Sequence, residues 1–184
     1  MNSREKIEAV NVKTLRVIRY PDPRLKEVCT PLDEVDGKTA ELVQKMAERM
    51  FTANGVGLAA PQVGVTVRLF IASPTFNPDD LHVYINPNIV QVEGSLNEEE
   101  GCLSFPNIFC RVKRAGRVTV EALGLDGKPF TQTVEGLHAR IVQHENDHLD
   151  GILLSDRMGS VAKLAKRHAL QSLEKDYTEQ NASK

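Results

Sequence analysis

Residues 137–151 read LHARIVQHENDHLDG, and this stretch decides the architecture. Leu137, Ile141, Val142 and Leu149 recur with helical spacing, so a helix is expected over 137–149, stopped by Asp150-Gly151. Working upstream, residues 117–123 and 129–134 are rich in β-formers and are separated by Asp126-Gly127, the signal of a hairpin turn. Residues 65–72, 82–86 and 88–93 read as further strands. Before them, Leu42, Val43, Met46, Met50 and Phe51 share one face of a helix expected over 38–53, which Asn54-Gly55 ends. A last helix is expected over 161–175, with Val161, Leu164, Ala165 and Leu173 turned inward. A helix, a run of strands, then helices predicts an α+β fold. Mainly antiparallel sheets would pack around the central 137–149 helix, with an N-terminal and a C-terminal helix beside it.

The rest of the chain sets bounds. Its 184 residues are expected to form a single domain, 1–184, with 1–14 and 177–184 loosely held. With 41% hydrophobic and 26% charged residues, the composition is that of a globular protein and argues against a disordered or collagen-like chain. A net charge of −2 gives no global drive toward nucleic acid or anionic lipid. No apolar run is long enough to cross a membrane, and MNSREKIEAVNVKT has neither the core of a secretory signal nor an obvious transit peptide, so a cytoplasmic location is expected. Three cysteines, Cys29, Cys102 and Cys110, fit a reducing compartment better than a disulfide framework. Residues 20–32 hold three prolines and read as an extended arm.

The central helix carries the chemistry. His144, Glu145 and His148 form H-E-x-x-H. Residues four apart on a helix are offset by about 40° around the axis and ~6 Å along it, so both imidazoles can reach one metal ion. Glu145 lies about 100° round from His144 and can flank that ion as a general base. A catalytic site needs a third protein ligand and an open position. Downstream, the metzincin continuation puts Leu154 where a histidine is required, and Glu174 sits near the end of the last helix. Upstream, EEEGCLSFP (98–106) places Cys102 in what reads as a fixed turn, and a thiolate completes a two-histidine site well. GVGLAAPQVG (55–64) is a shaped glycine-rich loop without the Lys-[Ser/Thr] ending of a phosphate loop.

Three stretches together, Gly55-Val-Gly-Leu-Ala-Ala-Pro-Gln62, Glu100-Gly-Cys-Leu-Ser104 and Gln143-His-Glu-Asn-Asp-His-Leu149, resemble the signature motifs of the peptide deformylases, in the family's order. The resemblance runs from about residue 15 to 154. It implies a metal-dependent amide hydrolase that removes the N-terminal formyl group from formyl-methionyl peptides of newly made proteins, releasing formate. It makes Cys102, His144 and His148 the metal ligands and Glu145 the acid/base. Gln62 and the Leu103 backbone N–H match the groups that hold the reacting carbonyl oxygen, and Gly57 matches a backbone contact to substrate. Val56, Leu137, Ile141 and Arg140 match positions lining the methionine pocket. The resemblance implies one divalent ion per chain, Fe(II) natively, with Zn, Ni or Co able to take the same ligands. It implies no small organic cofactor and no membrane partner.

Arg140 stands where some members carry an aliphatic residue and is expected to pair with Glu98 or Glu99; Phe109 stands where some carry an arginine. Asp147 and Glu100 are candidates for orienting the ligands. Two basic clusters, Arg111, Lys113, Arg114 and Arg117, and Lys163, Lys166, Arg167 and His168, read as solvated faces. In some bacterial members the C-terminal helix docks on the ribosome, so the resemblance admits a transient ribosome contact there. Two competing readings stay open: a zinc metalloprotease of another class with a downstream ligand, and a metal-binding module without activity.

Overall fold

Local capping starts the chain's first two helices. The structure, a computed structural model, describes residues 1–182. Asn2 caps α1 (Ser3–Glu8) by accepting from the Glu5 N–H, while the Glu5 carboxylate accepts from the Asn2 N–H. Asp36 caps α2 (Gly37–Thr52) by accepting from the Lys38 and Thr39 N–H groups. α2 buries Leu42, Val43, Met46 and Met50 on one face, as its apolar spacing requires. The first residues differ from expectation: Ile7 on α1 is buried in the α2 core, and Ser3 is hydrogen-bonded with Asp33, so this part of the 1–14 segment is anchored. At the other end, helix covers 177–182, where a loose tail was expected, and residues 183–184 of that tail lie outside the described residues.

β1 (Gly57–Ala59), β2 (Leu69–Ala72) and β3 (His82–Glu93) follow in antiparallel order. β4 (Leu96–Cys102) and β5 (Phe105–Arg114) form a separate two-stranded sheet. β6 (Arg117–Leu123) and β7 (Pro129–Glu135) complete a five-stranded antiparallel sheet in the order β1-β2-β3-β6-β7. α3 (Gly136–Leu149) lies across that sheet, and α4 (Leu154–Arg157) and α5 (Ser160–Ala182) close the chain. The fold is α+β, as expected. Ala139, Ile141, Val142 and Leu149 of α3 pack with Val118, Val120, Phe70 and Tyr84 of the sheet. This packing fixes the helix so that its opposite side meets the small sheet.

Four strand or helix expectations are corrected. Only the second half of 65–72 joins the sheet, because 65–68 bonds to the proline arm: Thr30 N–H donates to Thr66 O at 3.1 Å and Arg68 N–H to Thr30 O at 2.8 Å. The two strands expected over 82–86 and 88–93 are one strand, β3, bulged where Asn86 takes a φ of 51° and its side chain brackets the Leu32 backbone. The β4–β5 hairpin was not expected; Cys102 ends a strand and only Leu103 and Ser104 make the turn. On α5, Val161, Leu164 and Ala165 are exposed; Leu173 faces inward as expected, with Ala162 and Leu170, packed in the cluster that includes Ile108, Cys110 and Val112 of β5.

Candidate metal centre

The hairpin and the central helix meet at three ligand-type side chains. His144 and His148, four apart on α3, face Cys102 at the end of β4. Cys102 Sγ lies 3.3 Å from His148 Nε2, and the ligand atoms of Cys102, His144 and His148 all lie within 4.8 Å of one another. Both histidines are buried and the thiol is partly buried. Among the described residues this is the group of three or more such side chains that could hold an ion. Leu154 begins α4, and Glu174 accepts from the Tyr20 hydroxyl at 2.7 Å, so neither downstream alternative joins the histidines. Cys29 and Cys110 are buried in the cores, where burial pushes the Cys29 thiol up to about 12 and raises Cys110.

Buried charge holds one of these side chains, His144, in place. His144 turns Nδ1 to Glu100 Oε2 at 3.2 Å, which leaves its other ring nitrogen for a cation. Glu100 accepts from Arg114 Nε at 2.6 Å and from Arg140 Nη2 at 2.7 Å. Arg114 also donates to Asp147 Oδ2 at 2.8 Å, and Arg157 closes the chain by binding both oxygens of Asp147. Burial works to raise the Glu100 carboxyl, but hydrogen bonds from His144 and Arg114 hold it down at about 2. Glu100 and Asp147 thus sit in an internal network with His144. Arg114, read from sequence as part of a solvated basic face, is one of its buried members. Arg140 is buried and meets Glu98, as expected, and Glu100 in place of Glu99. Arg114 and Arg157 were missed. The available signal was the spacing of Glu98, Glu100 and Cys102, which share one face of a strand.

Burial works to lower both imidazoles. It leaves His148 well below the ordinary histidine range, aided by the charges of His144 and Arg114. At His144 the hydrogen bonds to Cys102 and Glu100 overcome it and hold the ring well above that range. A soft thiolate and two imidazoles, closed on one side by a carboxylate, are a donor set suited to a divalent transition metal.

A cleft of about 580 Å³ opens onto this centre and is lined by Val56, Gly57, Gln62, Cys102, Leu103, Leu137, Arg140, Ile141, His144 and Glu145, among others. It therefore gathers every expected site residue except His148, which is buried behind it and lies against Cys102. Leu137 stands half-exposed at its lip and Ile141 is buried in its wall. Gln62 is fixed by the Ala59 N–H, which donates to its Oε1 at 2.8 Å; its Nε2 points to Ser104 Oγ at 3.2 Å and Cys102 Sγ at 3.5 Å. Gly57 is required by close approach: a Cβ there would collide with Glu145 Oε1 and come within 2.8 Å of Ile141 Cγ2. Glu145 is buried and its Oε2 has no hydrogen-bond partner among the described residues. Burial pushes its carboxyl up to about 7, against the pull of His144 and Arg114. A buried acid with an idle oxygen beside three metal-ligand side chains can hold and move one proton.

Comparison with known proteins converges on one group. The sequence profile described as polypeptide deformylase matches residues 14–164. The chain is similar to the peptide deformylase of Acidobacterium capsulatum, 45% identical over 149 residues, covering 80% of this chain and 88% of that one. It is 43% identical over 159 residues to the peptide deformylase of Neisseria gonorrhoeae, covering 83% of this chain and 95% of that one. The fold superimposes on an Arabidopsis thaliana peptide deformylase 1B in complex with an inhibitor, with a TM-score of 0.88 at 37% identity, over 91% of this chain and 94% of that one. It also superimposes on a peptide deformylase from Plasmodium falciparum, with a TM-score of 0.87 at 34% identity, over 89% and 98% of the two chains.

Proposed function

The chain belongs to the peptide deformylase family, metal-dependent hydrolases that remove the N-formyl group from nascent peptides, and from that premise we propose which of its residues do the work. Cys102, His144 and His148 hold one divalent ion, and Glu145 is the acid/base. The observation that carries this reading is the unpartnered, buried Glu145 Oε2 beside the three ligand side chains. A divalent ion held there supplies Lewis acidity and brings the pKa of water toward neutrality. Glu145 Oε2 takes the proton of the attacking water and returns it to the leaving amine. Burial pushes its carboxyl up, and the charge of a bound cation would pull it back toward the carboxylate form that accepts a proton. Gln62 Nε2 and the Leu103 N–H donate to the formyl oxygen as negative charge develops on it. Gly57 lets the substrate backbone lie against the strand, and Val56, Ile141, Leu137 and the stem of Arg140 wall the pocket for the methionine side chain.

The native ion on this reading is Fe(II), with Zn, Ni or Co accepted by the same ligands; elemental analysis of protein purified without oxygen tests the assignment. The chain works in the cytoplasm, where formylated chains are made. No helix of the described residues is long and apolar enough to cross a membrane. A transient ribosome contact falls on α5, where Lys163, Arg167 and His168 are exposed.

The test is formate release from formyl-Met-Ala-Ser. Chelator-sensitive release is expected, and Glu145→Gln should keep its metal while losing about 100- to 10,000-fold in kcat. Metal-loaded protein that releases no formate would sink the reading, and so would a Glu145→Gln variant of full activity.

A further inference from the structure

The chain has five histidines. His144 and His148 belong to the centre described above, and His168 is exposed on α5. His82 and His138 form a second pair, with ring centres 4.6 Å apart and planes tilted by 54°. They come from two elements: His82 is the first residue of β3, and His138 lies in the first turn of α3. Neither lines the catalytic cleft. One nitrogen of each ring is already engaged. His82 Nε2 donates to Asp80 Oδ1 at 2.9 Å, and Asp80 is itself fixed by the Thr75 hydroxyl at 2.6 Å. The Tyr84 hydroxyl donates to Gln132 Oε1 at 2.9 Å, so its oxygen accepts from His138 Nε2 at 2.9 Å. Burial, and then the charge of His82, hold His138 down at about 4, so its ring is neutral at pH 7. In both rings Nδ1 is the nitrogen left over. Among the described residues neither Nδ1 makes a hydrogen bond, and neither is sealed from solvent. An oxygen acceptor on one ring nitrogen and a bare lone pair on the other is how proteins orient a histidine toward a metal.

We propose that His82 and His138 form a second metal site, which takes one divalent transition-metal ion through the two Nδ1 atoms and ties β3 to the start of α3. The ring spacing supports this. An ion ~2.0–2.1 Å from a nitrogen of each ring stands about 3.2 Å from each ring centre. Centres 4.6 Å apart then subtend about 90–95° at the ion, close to the octahedral or square-planar angle. His144 and His148, with centres 5.1 Å apart, subtend about 105–110°, close to the tetrahedral angle. The two pairs therefore suit different ions. With imidazole nitrogens and only oxygen donors nearby, the second pair suits Ni(II) or Cu(II), with water completing the coordination. It has no thiolate, so it has none of the soft character that Cys102 gives the first. An ion there would act on the fold: it would cross-link the sheet to the helix that carries His144 and His148, on the far side from the cleft's Cys102.

The probe is Ni(II), titrated into the metal-loaded full-length protein at pH 8, with bound metal counted after equilibrium dialysis. The wild type should bind one Ni(II) per chain more than either His82→Asn or His138→Gln. Its Tm should rise by about 3–6 °C when free Ni(II) is ten times the Kd of that extra ion, and the variants should show no such rise. Equal metal counts in wild type and variants overturn the proposal, because any extra ion then sits elsewhere, at His168 or the chain's amino group. An extra ion that the variants lose without any rise in the wild-type Tm overturns the cross-link between β3 and α3. A readout without substitution covers the case of a variant that does not fold. Ni(II) should shield His82 and His138 of the wild type from diethyl pyrocarbonate while His168 stays reactive, as read by peptide mass spectrometry. Equal modification of all three with and without Ni(II) overturns the site. The comparison is a difference between wild type and variants, so it holds whatever the catalytic centre proves to hydrolyse.

Discussion

Two hairpins of this chain have the same length of pairing, but one meets α3 with apolar side chains and the other with the polar side chains of β4. β6–β7 pairs seven residues in unbroken register, and its inward residues Val118, Val120, Ala122 and Val134 pack against α3. β4–β5 also pairs seven residues, but β4 aims Glu98, Glu100 and Cys102 at the same helix. One hairpin supports α3 by burying apolar surface, which stabilises by about 25 cal/mol per Å². The other supports it by charge, where desolvation offsets most of the Coulomb gain but loss of one partner leaves a costly orphan. β4, the strand proposed to contribute to catalysis, thus meets α3 through interactions that add little net stability and much geometric order, while Phe105, Ile108, Cys110 and Val112 of its partner β5 are buried in an apolar cluster.

The largest effect that should separate the hairpins is Cys102→Ala. It removes one of three proposed ligands, so metal content should fall to near zero after dialysis and formate release by about 1000-fold or more. Folding should persist, because Cys102 ends a strand and is partly exposed. Elemental analysis with circular dichroism checks both halves. A variant that binds metal normally would show that β4 is no more functional than β6–β7.

Glu100→Gln comes next. It keeps the shape and removes the charge that Arg114, Arg140 and His144 share. Metal affinity should drop about 10- to 100-fold, as is typical when a ligand's hydrogen-bond partner is lost. Stability should fall by about 3–5 kcal/mol in denaturant, because two buried arginines lose their acid. The pH dependence follows from the same residue. Glu100 is held at about 2 in the fold against an ordinary 4.5, so its stabilisation is complete above about pH 4.5 and is lost as pH falls toward 2. The metal-free wild-type protein should therefore lose stability steeply over that window and the variant less so, as followed by thermal melts.

The same contrast explains what could be read from the chain. β6 and β7 announced themselves because apolar residues alternate and Asp126-Gly127 marks the turn. α3 did so through its spacing, and with it came the proposed metal-binding pair His144 and His148, since residues four apart on a helix share a face. β4 reads LNEEEGC, with hardly an apolar residue in it, so no hydrophobic period exists to detect. Its two-residue turn also lacks the Asn-Gly or Asp-Gly signature. Arg114 looked like surface charge because its partners, Glu100 and Asp147, are distant in sequence. α5 misled for a different reason. It is packed along one narrow side, and Val161 and Leu164 fall outside that contact.

A mid-sized effect is expected from Val120→Ala in β6. Val120 is fully buried between the sheet and α3, so the lost contacts should cost roughly 1–3 kcal/mol in denaturant. The kcat/KM of the folded enzyme should stay within about twofold, because α3 retains its other contacts to the sheet. A large fall in metal affinity would break the comparison, since the apolar hairpin would then also set the ligand geometry.

The smallest effect belongs to the turn between β6 and β7. Gly127 takes a φ of 75°, donates its N–H to Gly124 O at 3.0 Å, and precedes Lys128, whose carbonyl accepts from the Gly124 N–H at 2.9 Å. The two bonds close the loop only if residue 127 is left-handed, which an alanine adopts at a cost of roughly 1 kcal/mol. Space is not the obstacle, because the nearest atom to an added Cβ is Val35 Cβ at 3.9 Å. Gly127→Ala should therefore lower stability by about that amount and leave formate release untouched. Gly127→Asn should recover part of the loss, since asparagine tolerates the left-handed region better than alanine. The Ala and Asn variants having equal stability would mean that backbone conformation does not govern this turn, and the legibility of the β6–β7 hairpin would rest on its strands alone.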